Sequence, residues 1–163
     1  SAGLKIQVDI IGPTSLNSDE AYLGRLKGKI AQKGLAGVVF FKGALANSAL
    51  PETLGLYDLF VNMGQTGSLD KAVPEAMASG LPILTCNEAF KEVLGPFAGD
   101  LMYEKGDSSS LSRLILKMAE LTPEERNKLG AELREIVVKE HSLQSFVSKI
   151  ISSLKKYGTN AKV

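Results

Sequence analysis

Short apolar runs bounded by glycine, proline, asparagine or aspartate recur along the first two thirds of the chain, and from Ser110 onward they give way to apolar residues at helical spacing. The runs at residues 5–11, 38–41, 59–61, 82–86 and 100–103 read as strands, the first closed by Gly12-Pro13 and the second by Gly43. Between them, Ser18 offers an N-cap ahead of Ala21, Leu23, Leu26 and Ile30, and shorter helical stretches follow at 50–57, 73–78 and 89–93. Parallel neighbours need a crossover, and the crossover is usually a helix. The alternation therefore predicts an α/β fold with a parallel sheet and helices on both faces. The tail reads as three helices, 111–121, 123–140 with Thr122 as N-cap and Pro123 in first position, and 142–157. Whether that tail returns to the sheet or reaches elsewhere is left open by the pattern.

Composition narrows the picture. A chain of 163 residues fits one domain able to bury a sizeable core, here expected over residues 4–157. The small-residue start at 1–3 resembles a cloning remnant, and 158–163 reads as a frayed end. With 19 basic and 18 acidic residues, the net charge of +1 supplies no long-range field for nucleic acid or an anionic membrane. An anion must be held locally. The single cysteine, Cys86, ends an apolar run and reads as a small core hydrophobe, and no run approaches a membrane span. A cytoplasmic, reducing setting is the expectation.

Ligands of open parallel sheets bind at the carboxyl ends of strands, which directs attention to the loop 62–73. It carries two glycines, two hydroxyls and Lys71 directly ahead of a helix that Pro74 requires to begin near Ala72 or Val73. A helix start with unpaired N–H groups, a lysine and pliant backbone could cradle a diphosphate; an ordinary strand-to-helix turn looks the same. Asp70 would repel phosphate, or else cap the helix or pair with Lys71. Glu75 falls near the positive helix end, as a surface acid or as a ligand group. The spacing matches neither a Walker lysine loop nor a dinucleotide fingerprint.

Val73-Pro74-Glu75-Ala76-Met77-Ala78-Ser79-Gly80-Leu81-Pro82-Ile83 resembles the "LEAMA-G-PV" segment of family-4 retaining glycosyltransferases. Ile10-Ile11-Gly12 is similar to their "IVG" strand, Val39-Phe40-Phe41-Lys42-Gly43 to "V-F-x-G", and Asp58-Leu59-Phe60-Val61 to "D-hydrophobic-F-V". Glu140-His141-Ser142 resembles the segment that opens their final helices, so the ordered likeness covers about residues 4–155. The resemblance implies the GT-B architecture, two Rossmann-like domains across a cleft, with this chain as the C-terminal one. It implies a UDP- or GDP-sugar as donor substrate, no bound cofactor and no metal. The acceptor, a glycan or lipid, would be held by an N-terminal domain, and any peripheral membrane association would belong to the full-length protein. Gly43, Ala44 and Leu45 would border the base, and Glu75 would bind the ribose hydroxyls.

The family's first glutamate, which helps to hold the donor sugar, falls at position 67, where this sequence has Gly67. Gly67, Ser68, Leu69 and Lys71 are therefore expected to touch the diphosphate or sugar through backbone and charge. Gly12-Pro13 departs from the second glycine that often follows "IVG". The chain begins after the family's "GRL...K-G" strand and helix, whose arginine and lysine clamp the diphosphate, so an incomplete half-site that binds nucleotide weakly and does not turn over is expected. His141, the only histidine, has no second histidine to pair with and is expected at the start of the last helix. Tyr57 and Phe90 read as core rather than base-stacking residues, and Lys117, Lys128 and Arg134 as solvated. Two other readings stay open: a non-catalytic nucleotide-binding or regulatory module on the same scaffold, and a nucleotide-sugar epimerase of related architecture.

Overall fold

A computed structural model describes residues 3–13, 17–64 and 67–158, with the side chains of 17–19, 141 and 156–158 outside the description. The chain divides into two units, Ser1–Leu50 and Pro51–Val163.

In the first unit β1 (Val8–Ile11) and β2 (Val39–Gly43) run parallel, joined by α1 (Asn17–Gln32). The expected strand from residue 5 shortens because pairing begins only where the Val8 amide donates to the Val38 carbonyl at 2.8 Å. Helix α1 starts two residues earlier than the Ser18 cap implied. Register runs Val8↔Val39 to Ile10↔Phe41 and then skips Lys42, pairing Ile11 with Gly43. The Lys42 ammonium lies 3.5 Å from the Asp9 carboxylate, whose side chain is only 5% exposed. Much of the unit's apolar surface stays accessible, including Leu4, Ile6, Val8, Ile10 and Phe40.

The second unit holds the core. A 3₁₀ turn, Asn47–Ala49, ends the first unit, and α2 (Leu50–Leu54) opens the second, followed by β3 (Phe60–Asn62), α3 (Ala72–Ala78) and β4 (Ile83–Thr85). Strands β3 and β4 pair parallel, Phe60↔Ile83 through Asn62↔Thr85, and every residue of β4 is buried. Helix α3 turns Val73, Ala76 and Met77 inward at zero exposure. Full burial of a Val or Met side chain contributes about 1.5–3 kcal/mol, which outweighs the weak intrinsic helicity of so short a segment. The helix stops where Gly80 takes φ +76°. There the Gly80 amide reaches the Met77 carbonyl and the Leu81 amide the Ala76 carbonyl, and Pro82 forbids continuation.

The fifth expected strand is not formed. Pro96 pre-sets a helical turn at Gly95–Phe97, and α5 (Ala98–Leu101) follows the short α4 (Lys91–Leu94). What remains of the strand is a parallel bridge, Thr85↔Met102, with the Tyr103 amide on the Thr85 carbonyl. Helix α6 (Ser108–Glu120) is capped by Asp107, whose carboxylate accepts from the Ser109 amide at 2.8 Å. Helix α7 (Pro123–His141) begins with Thr122 and Glu125 capping each other reciprocally. It lies against α3. His141 ends α7 instead of opening the last helix; Ser142 caps α8 (Leu143–Gly158), its hydroxyl accepting from the Ser145 amide at 3.1 Å. Helix α8 contacts α7 yet leaves Leu143, Phe146, Ile151 and Leu154 exposed. Residues 1–2 and 159–163 lie outside the described residues.

Candidate functional site

Strands β3 and β4 end side by side at Asn62 and Thr85, and polar side chains gather where they end. The Thr85 hydroxyl donates to Asn62 Oδ1 at 3.0 Å and accepts from the Asn87 amide at 3.1 Å. Asn62 Nδ2 donates to Asp70 Oδ2 at 2.8 Å, and Tyr103 donates to the Asn62 carbonyl at 2.8 Å. Asn87 Nδ2 donates to the Ser68 carbonyl at 2.7 Å while its Oδ1 accepts from the Ala89 amide. Asn62, Thr85 and Asn87 are all buried, and among the described residues no buried side-chain nitrogen or oxygen lacks a partner. Such a network is stable only when fully satisfied, because each orphaned group would cost about 1–3 kcal/mol. Burial, with the hydrogen bond and charge interaction at Cys86 adding to it, holds the Tyr103 phenol well above its ordinary pKa. Cys86 is buried, as its apolar run implied, and its thiol lies 3.8 Å from the Gly64 carbonyl.

Asp70 caps α3. Its Oδ1 accepts from the Ala72 amide at 3.2 Å, and its backbone carbonyl takes the Val73 amide at 3.1 Å. Pro74 has no N–H, and the Glu75 amide bonds to the Lys71 carbonyl. The unpaired helix-start donors that the sequence suggested for a diphosphate are thus spent within the protein. Asp70 is settled as a cap and not as a partner of Lys71.

The remaining candidates occupy two places. Gly67, Ser68, Leu69, Lys71 and Glu75 are exposed in the second unit, Glu75 within the first turn of α3. Gly67 has φ +64°, a left-handed conformation that a glutamate would enter only at about 1–2 kcal/mol. The departure from the family pattern therefore has a local backbone counterpart. Gln65 and Thr66, part of the same expected loop, lie outside the described residues. In the first unit Gly43, the last residue of β2, and Ala44 after it are exposed, and Leu45 is half-buried. Phe90 is fully buried and Tyr57 half-buried, in keeping with core roles. Lys117 and Arg134 are exposed, as expected, and each has a partner: Lys117 pairs with Asp100 at 2.6 Å, and Arg134 donates to the Ala78 carbonyl at the end of α3.

Sequence reasoning passed over Asn62, Thr85 and Asn87. Their signal was available: polar residues at the carboxyl ends of two apolar runs expected to lie parallel.

Residues 2–136 match the family described as glycosyl transferases group 1. The chain belongs to the group 1 glycosyltransferases. As a group 1 glycosyltransferase domain it has the fold of the C-terminal half of GT-B enzymes, and solved structures share it. HepE of Anabaena in complex with UDP superposes with a TM-score of 0.81 at 19% identity, over 93% of this chain and 41% of HepE. Sucrose-phosphate synthase from Thermosynechococcus elongatus gives 0.80 at 19% identity, over 95% of this chain and 39% of the synthase. The catalytic domain of cholesterol-alpha-glucosyltransferase from Helicobacter pylori gives 0.62 at 18% identity, over 83% of this chain and 99% of that domain. No curated protein matches the chain significantly. The chain spans about two fifths of the length of HepE and of the synthase. The group 1 match ends within α7 and so takes in every candidate contact, but not α8. Among the described residues no helix is long and apolar enough to cross a membrane.

Proposed function

We propose that the full-length protein transfers a glycosyl group from a UDP- or GDP-sugar to a glycan or lipid acceptor, in the retaining, family-4-like manner, and that this chain is its donor-binding half. The observation that carries the reading is the group 1 family match across residues 2–136. It is supported by the shared fold of HepE, a protein solved with UDP and with UDP-glucose. In this reading Glu75 accepts from the ribose hydroxyls, and residues 43–45 border the base. Lys71 and the backbone of 67–69 meet the diphosphate, whose leaving-group charge must be neutralised as the glycosidic bond breaks. The acceptor is supplied by a further domain, and donor binding requires no metal. Gly67 favours one second reading, nucleotide binding without transfer, because no carboxylate stands at that position.

Titration with UDP and GDP, with and without sugar, is expected to shift resonances at residues 43–45 and 67–75 for one base more than the other. No shift at either stretch would remove the nucleotide site. In the full-length protein Glu75→Ala is expected to weaken nucleotide binding about tenfold, the loss of about 1.4 kcal/mol that a hydrogen-bonded carboxylate supplies. Unchanged affinity would remove the ribose assignment. Release of UDP or GDP with a glycosylated acceptor separates transfer from binding alone.

A further inference from the structure

The loop that leads into α3 is anchored from inside the protein, and its contacts with Asn62, Cys86 and Asn87 grip acceptors. Asn87 Nδ2 holds the Ser68 carbonyl at 2.7 Å. Asn62 Nδ2 and the Ala72 amide take the two oxygens of Asp70, at 2.8 and 3.2 Å. The Cys86 thiol lies against the Gly64 carbonyl. A diphosphate offers acceptors only, so it can be held by donors and is repelled by carbonyls and carboxylates that share its site. Drawing the loop's acceptors inward is what such a loop requires of its supports.

We propose that Asn87 is a positioning residue for the diphosphate of the donor: by engaging the Ser68 carbonyl it fixes the peptides around Ser68 in the orientation that admits an anion. The inference rests on the donor-site reading above. Asn87 is suited to the task because it is 1% exposed and bound at both ends of its amide, Oδ1 by the Ala89 amide and Nδ2 by Ser68. Its own backbone amide is tied to Thr85, at the end of buried β4. The loop is therefore referenced to the strand pair, a rigid element.

Asn87→Asp tests this directly, since it keeps an oxygen for the Ala89 amide and replaces only the donor to Ser68 with a second acceptor. In the full-length protein, UDP and uridine (and GDP and guanosine) are titrated against wild type and variant, with melting temperatures measured alongside. The variant is expected to bind the nucleoside diphosphate at least about tenfold more weakly while its affinity for the nucleoside stays within about twofold. A folded variant that loses both equally, or loses neither, overturns the positioning role and leaves the donor site standing. If wild type itself binds neither diphosphate, the donor-site reading fails and this inference with it. Should Asn87→Asp not fold, Asn87→Ser removes the donor to Ser68 without adding charge, and the same comparison decides.

Discussion

The Tyr103 hydroxyl donates to the Asn62 carbonyl from a residue that is 8% exposed, and its ionisation would bury a charge beside that oxygen. Because burial and Cys86 raise its folded-state pKa above the unfolded value of about 10, its contribution to stability is complete below that pH and is lost as pH rises further. Urea unfolding followed from pH 8 to 11 is expected to show stability declining above about pH 10, and Tyr103→Phe to flatten that decline. At neutral pH the same variant loses about 1 kcal/mol with its hydrogen bond. An alkaline decline that persists unchanged in Tyr103→Phe would assign it to other groups. Cys86 ends an apolar run and Phe90 is an aromatic beside expected elements, and both are buried as those local signals imply. Asp70 had three open roles, and only the positions of Asn62 and the Ala72 amide select capping.

Helix α7 carries a glycine midway along its length, Gly130, where a helix alone would favour alanine by about 1 kcal/mol. A Cβ at that position would collide with the Gly80 carbonyl, backbone of the turn that closes α3. Two packed helices meet there at a point that admits no side chain, and Arg134 of α7 caps the Ala78 carbonyl one turn away. Gly130→Ala is therefore expected to destabilise by about 1–3 kcal/mol, reversing the sign that helix propensity alone implies. Urea denaturation checks it; a neutral or stabilising outcome would mean that α7 shifts away from α3 without loss. Helix ends were legible where the signal is local, as at Thr122-Pro123 and Gly80-Leu81-Pro82. The strand expected at 100–103 overlaps the end of α5 because apolar content does not distinguish the two conformations, and the helical start set by Pro96 decides.

At the scale of the molecule the two units differ in how much they bury. Strand β4 is wholly buried, whereas Val8, Ile10 and Ile11 of β1 are 38–41% exposed. Amide hydrogen exchange in this chain is expected to be slowest at 83–85 and distinctly faster at 8–11, since protection follows local burial and contact density. Equal protection would mean that another surface covers β1. The sequence by itself determined the α/β alternation, the run of C-terminal helices and the membership of residues 2–136 in group 1 glycosyltransferases, because hydrophobic period, capping residues and motif order are properties of neighbours in the chain. Tertiary structure alone decided what Asn62, Thr85 and Asn87 do, and why Gly130 is glycine. Those roles depend on atoms brought together from distant parts of the chain, 23 residues apart for Asn62 and Thr85 and 19 for Ser68 and Asn87. A hydrogen bond or a steric limit between such residues leaves no periodic trace in the sequence, and exists only once the strands have paired.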